Sequence, residues 1–176
     1  MVMKKLAEQS FIVSFAVLSA ALAGCQSFEA DPTATAIIQP KSGSIIQGSV
    51  NFKQSGKQVI VSGTFSGLKP NSEQGIHIHE KGDCSALDAI SAGGHYNPTG
   101  MQHGSSVNQM HHAGDMPNII SDANGNASYK ATLSDFTLEG EQSIIGRAVV
   151  VHRDPDDYKT QPAGNSGPRI GCGIIR

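Results

Sequence analysis

SIIQGSVNFKQSGKQVIVSGTFSG, Ser44 to Gly67, holds two runs rich in β-branched residues that partly alternate apolar with polar, separated by QSGK. Successive side chains on a strand point to opposite faces, so the alternation predicts strands with one face turned to a core. KSGS before the pair, QSGK within it and GLKPNS after it carry the turn chemistry that bounds such strands. ATAIIQP upstream and GIHIH downstream continue the pattern, and SDANGNASYKATL adds an Asn-Gly turn ahead of another alternating run. SIIGRAVVVH and RIGCGII read as buried strands, with Ile and Val in near-continuous runs. No segment keeps a helical period beyond one or two turns. The expectation is one all-β domain, an antiparallel sandwich or barrel.

Two stretches break the rhythm. From Glu80 to about Pro117 the chain is rich in Gly, Asn and Ser, has few apolar runs and carries four of the seven histidines. Arg153 to Pro168 separates the last two strands in a similar way. Loops of this length in a compact domain are functional or disordered. A disulfide and bound metal would order them.

The N-terminus reads as an export signal. Lys4 and Lys5 precede FIVSFAVLSAALAG (Phe11 to Gly24), an apolar run too short to span a bilayer but suited to a signal-peptide core. Leu22-Ala23-Gly24-Cys25 resembles the bacterial lipobox, which implies a lipid on Cys25 as the mature N-terminus. Gln26 after it, rather than Asp, is similar to the outer-membrane sorting pattern. The expected organisation is a signal peptide over residues 1–24, a lipidated N-terminus and tether over 25–33 and the domain over 34–176. The expected location is the periplasm, with the protein held to a membrane, the outer one, through lipid on Cys25 alone. Thirteen basic against fifteen acidic residues, a net charge of −2, argue against a nucleic-acid partner. With Cys25 lipidated, Cys84 and Cys172 remain, and pairing is the default in an oxidising compartment. Closing that loop of 88 residues restricts the unfolded chain by roughly 4–5 kcal/mol in the entropic model.

Residues i and i+2 of a strand share a face, so His77 and His79 reach toward one metal ion while Ile76 and Ile78 face the core. A lone His-x-His pair is weak evidence; the placement of the others strengthens it. His95, His103, His111 and His112 lie in the long loop, and His152 ends VVVH. His77, His79 and His152 offer three imidazoles from strands, a set that suits Cu(II). His103, His112 and Asp115 offer two imidazoles and a carboxylate, which suit Zn(II). His95, between the groups, has two ring nitrogens and would serve both metals. Spacing alone does not choose between His111 and His112.

HIHEKGD, SAGGHYNP, HHAGD, IIGRAVVVH, GNSGPR and CGII, in this order, resemble the copper/zinc superoxide dismutase family over about Ala34 to Arg176. The resemblance implies a Greek-key β-sandwich or barrel of about eight antiparallel strands with two long functional loops. It implies copper held by His77, His79, His95 and His152, and zinc held by His95, His103, His112 and Asp115. The family pattern His-x-Gly-Asp selects His112 and leaves His111 as a solvated neighbour. Cys84 and Cys172 match the family's disulfide. Asp156 matches the carboxylate that holds a copper and a zinc histidine together, with Asp157 the competing choice. Arg169 matches the arginine beside copper that docks the superoxide anion. The implied reaction converts superoxide to oxygen and hydrogen peroxide by Cu(II)/Cu(I) cycling, with His95 leaving reduced copper, taking up a proton and returning it to product. The resemblance leaves monomer or homodimer open. Met101, Met110 and Met116 all lie in the histidine loop, and thioethers favour Cu(I), so a non-enzymatic copper-binding lipoprotein is the alternative. A zinc hydrolase is weaker, because the one glutamate beside the His-x-His pair, Glu80, is turned by alternation to the other side.

Overall fold

The computed structural model describes residues 30–176; the expected signal peptide, Cys25 and the start of the tether lie outside them. Nine strands follow one another: β1 (Thr33–Pro40), β2 (Gln47–Ser55), β3 (Gln58–Ser66), β4 (Glu73–Gln74), β5 (Ile76–His79), β6 (Ile119–Ile120), β7 (Ala127–Leu133), β8 (Ala148–His152) and β9 (Arg169–Ile174). Among the described residues the one helical element is a single 3-10 turn, Ile90–Ala92, and no helix is long and apolar enough to cross a membrane. Seven strands form an antiparallel sheet in the order β5-β8-β9-β1-β2-β3-β7, and β4 pairs with β6 apart from it.

The opening stretch forms a hairpin. Ser55 pairs with Gln58, leaving Gly56 and Lys57 as a two-residue turn. Gly56 has φ 59°, the conformation that the first position of a type II′ turn requires. Alternation then sorts the side chains: Val50 and Phe52 of β2 and Val59, Val61 and Phe65 of β3 are buried, with exposed residues between them. Ala34, Ala36 and Ile38 of β1 join the same core, as do Tyr129 and Leu133 of β7. SIIGRAVVVH is only half strand. Ser143 to Arg147 form a turn ahead of Ala148, stabilised by the Arg147 backbone N–H donating to Ile144 O at 3.0 Å.

The expected all-β antiparallel architecture is present, but in place of a sandwich or barrel of about eight strands the nine strands form a curled, open half-barrel. Among the described residues no pairing joins the outer strands β5 and β7. The free edge of β5 is occupied by the long loop instead. Ile78 N–H donates to Gly114 O at 2.9 Å and Tyr96 N–H donates to Ile78 O at 2.8 Å.

Strands β5, β8 and β9 are covered on both sides, which explains the near-continuous apolar runs of β8 and β9. Ile76, Ile78, Val149 and Val151 enter the main core. The opposite face carries Ala148, Val150 and Cys172, packed against Ala89 and Ala92 of the loop. Cys84 and Cys172 form a disulfide there, with Cα atoms 5.8 Å apart, fastening the loop to β9.

Candidate metal centre

The outer face of β5 and β8 is where the histidines converge. Register places His77 opposite Val150 and His79 opposite Ala148, so both imidazoles stand on the face that His152 shares two residues beyond Val150. A bulge at Val151/His152 shifts the β8–β9 register so that Arg169, rather than Ile170, lies opposite His152. The loop on the β5 edge brings the remaining groups. Isolated bridges pair His77 with Asp115 and His79 with His95.

Two clusters result. His77, His79, His95 and His152 form an all-histidine set, and His95, His103, His112 and Asp115 a mixed one; within each, the potential ligand atoms lie within 4.8 Å of one another and every residue is buried. His95 belongs to both, with its Nδ1 donating to Asp115 Oδ1 at 2.8 Å and its ring stacked on His77 at 3.9 Å.

Hydrogen bonds fix which nitrogen each ring offers. His79 Nδ1–H donates to Gly93 O at 2.9 Å and His152 Nδ1–H to Gly167 O at 3.2 Å. His77 Nε2–H and His103 Nε2–H donate to the two oxygens of Asp156, at 2.8 and 2.9 Å. The opposite nitrogens, Nε2 of His79 and His152 and Nδ1 of His77 and His103, are buried without hydrogen-bond partners, as are His95 Nε2 and His112 Nδ1. A buried acceptor lacking a partner costs about 1–3 kcal/mol. Six such atoms directed at two points therefore fit a pair of cations. Outer hydrogen bonds of this kind set ligand tautomer and basicity. Four imidazoles suit copper, and three with a carboxylate suit zinc.

Burial, with repulsion from neighbouring rings, holds His79 and His152 well below the usual imidazole range. Burial and the nearby His77 lower His95 to about 4. Neutral imidazoles are the form that binds metal. For His103, burial also opposes charge, but the carboxylates of Asp115 and Asp156 beside the ring outweigh it and raise the value to about 9. Both carboxylates oppose burial through bonds to these histidines, which keep them well below the usual carboxylate range. The metal-free protein is accordingly expected to lose stability between pH 6.5 and about 4, because the unfolded chain protonates at position 95 and the folded one does not. His95 alone accounts for about 3 kcal/mol over that window. His103 does not offset the loss, because its raised value contributes fully and constantly below pH 6.5. Denaturant midpoints of the apoprotein from pH 7 to 4 check this; a flat profile counts against it.

The structure brings every ligand candidate of the sequence into one or both of the two clusters. Asp156, with its side chain fully buried, contacts one histidine of each cluster, whereas exposed Asp157 caps the turn at Thr160. His112 lies in the mixed cluster and His111 does not. His111 is not the solvated neighbour expected: its side chain is 9% exposed and lies against Asp135. Arg169 reaches the loop, donating to Ala89 O at 2.8 Å and Gly93 O at 2.7 Å. It shares with His152 and residues 160–163 and 165–167 the lining of an open depression of about 320 Å³.

Sequence reasoning missed the residues that hold these groups. Asn118 accepts from the Asp156 N–H and donates to its carbonyl. Gln161 does the same for His103, at 2.8 and 2.9 Å. Gly164, at φ 63°, sits where any Cβ would strike Asp156. Of these, only the glycine left a signal, within GNSGPR.

Comparison with known proteins agrees with this geometry. The family described as Copper/zinc superoxide dismutase (SODC) matches residues 46–175. Superoxide dismutase [Cu-Zn] 2 of Aquifex aeolicus (strain VF5) is 41% identical over 169 residues, covering 90% of this chain and 98% of its own. Superoxide dismutase [Cu-Zn] of Paramecium bursaria Chlorella virus 1 is 42% identical over 136 residues, 74% of this chain and 72% of its own. Among solved structures, the clock protein EA4 superimposes with a TM-score of 0.75 at 36% identity, over 85% of this chain and 96% of that one.

Proposed function

We infer how the site divides its work from one premise: the chain belongs to the copper/zinc superoxide dismutase family. It is an enzyme that dismutates superoxide, with copper and zinc as cofactors. Copper supplies one-electron redox chemistry when bound, and zinc supplies a fixed positive charge. The all-histidine set is the copper site and the mixed set the zinc site. The observation that carries this reading is His95, which alone belongs to both clusters, with Nε2 unpartnered and Nδ1 against Asp115 of the mixed set.

The chain's own residues then have separate tasks. His95 Nε2 holds the proton that goes to the reduced oxygen species, and Asp115 at Nδ1 keeps the ring aligned. Asp156 locks one histidine of each set in its ligating tautomer. Arg169 attracts and docks the anion at the opening it lines with His152. Arg153, next to His152 in sequence, pairs with Asp154 at 2.9 Å. Metal content and superoxide-consumption rate of the purified domain, before and after reconstitution, test the assignment. Activity that tracks zinc but not copper would overturn it.

Arg169→Glu is expected to slow superoxide consumption by roughly 10-fold or more and to make the rate rise with salt, with metal content unchanged. An unaltered salt response would remove Arg169 from docking.

Export as a lipoprotein fits the same reading, with the domain in the periplasm and held to the outer membrane through Cys25. The basic, apolar and Leu-Ala-Gly-Cys sequence of residues 4–25 supports it. Loss of lipid labelling in Cys25→Ser tests it. A homodimer is the assembly proposed, supported by exposed Ile37 beside Ile174 at the disulfide edge; sedimentation decides it.

A further inference from the structure

The loop methionines remain unexplained once both clusters are assigned. Met116 is core, but Met101 and Met110 are 45% and 61% exposed. Met101 lines a cavity of about 250 Å³ with Gln109, His111, Asp135 and Gln142. His111 Nδ1–H donates to Asn108 O at 2.7 Å, which fixes the tautomer and leaves a lone pair on Nε2. That Nε2 is buried without a hydrogen-bond partner and lies 3.3 Å from Asp135 Oδ1. An unprotonated Nε2 facing a carboxylate oxygen at this distance is repulsive unless a proton or a metal ion lies between them. His111, Asp135 and Met101 line this one cavity together.

We propose a third metal site, for copper, built from His111 Nε2, the Asp135 carboxylate and the Met101 thioether. Imidazole and carboxylate alone would accept zinc; the thioether turns the preference toward copper, Cu(I) above all. Neighbouring side chains of one loop thus serve different ions, with His112 directed into the buried mixed cluster and His111 to this cavity. An open site one residue from a buried ligand captures metal arriving from outside. It depends on neither metal assignment at the two buried clusters, and it gives the exposed methionine a task that packing does not.

The test uses protein already loaded with copper and zinc, its dismutase rate confirming that both clusters are filled. Cu(I) buffered by a competing chelator is added without oxygen, and retained metal is counted after gel filtration. One further copper equivalent is expected. It should be lost in His111→Gln and Asp135→Asn and weakened in Met101→Leu, whose exposed position spares the fold and the dismutase rate. Zn(II) offered in the same way should not be retained. Failure to retain extra copper would mean that a proton alone satisfies the pair and would overturn the proposal. So would retention in His111→Gln, equal retention of zinc, or indifference to Met101→Leu. A missing dismutase rate before copper addition would instead indict the family reading.

Discussion

Asp156→Asn is expected to weaken the hold of the all-histidine cluster on copper by about 10–100-fold, and that of the mixed cluster on zinc by less. The carboxylate accepts from both rings, His77 Nε2 at Oδ2 and His103 Nε2 at Oδ1. An amide accepts through its oxygen only, and its NH2 must face the other ring. The ring opposite the NH2 has to present a lone pair at Nε2, which moves its proton to Nδ1, the atom that otherwise binds metal. Oδ1 also accepts the Tyr158 N–H at 2.7 Å, so the amide oxygen takes that side and His77 meets the NH2. The copper site therefore suffers more. Competition titrations with each metal check the asymmetry, with exposed Asp157→Asn as the control that leaves both affinities unchanged. Equal affinities in Asp156→Asn and the parent would show that the bridge does not select tautomers.

Replacing Cys84 and Cys172 together with Ser should cost about 2–5 kcal/mol of stability, lowering the melting temperature on the order of 10 °C. The bond joins residues 88 apart in sequence, so its loss releases a large unfolded-state restriction. Its second effect falls on the site. The fastened segment supplies Gly93 O, which accepts from both His79 Nδ1 and Arg169 Nη2, and Ala89 O, which accepts from Arg169 Nη1. A loosened segment frees a copper ligand and the docking cation together, and turnover at saturating metal should fall with stability. Calorimetry and activity on one preparation separate the two. A stable but inactive variant, or an active variant that melts early, would show that the disulfide serves only one of these ends.

The strands legible in sequence were those long enough to show a period. Val59, Val61 and Phe65 alternate with exposed neighbours, and the hairpin before them carries its glycine where the turn needs it. Strands β4 and β6 were invisible because two residues have no period, and IISD after the histidine loop looks like any other short apolar pair. The open edge of the sheet was illegible for a different reason: backbone of the loop, not another strand, fills it. At the site, the ligands were legible because metal selects side-chain types. The carbonyls of Gly93 and Gly167, which choose the ring tautomers, have no side-chain signature at all. His111 was misjudged because its partner, Asp135, lies 24 residues away across a strand.

The loop that covers β5 does more than deliver ligands. Its hydrogen bonds, Ile78 N–H to Gly114 O and Tyr96 N–H to Ile78 O, cover an edge strand whose side chains are buried on both faces. Removing the ions is expected to loosen that cover, and a bare, apolar edge is a template on which another chain can add its own strand. Demetallated protein should therefore self-associate through β5 long before its main core melts, so that the same ions that equip the enzyme for turnover also keep its molecules apart.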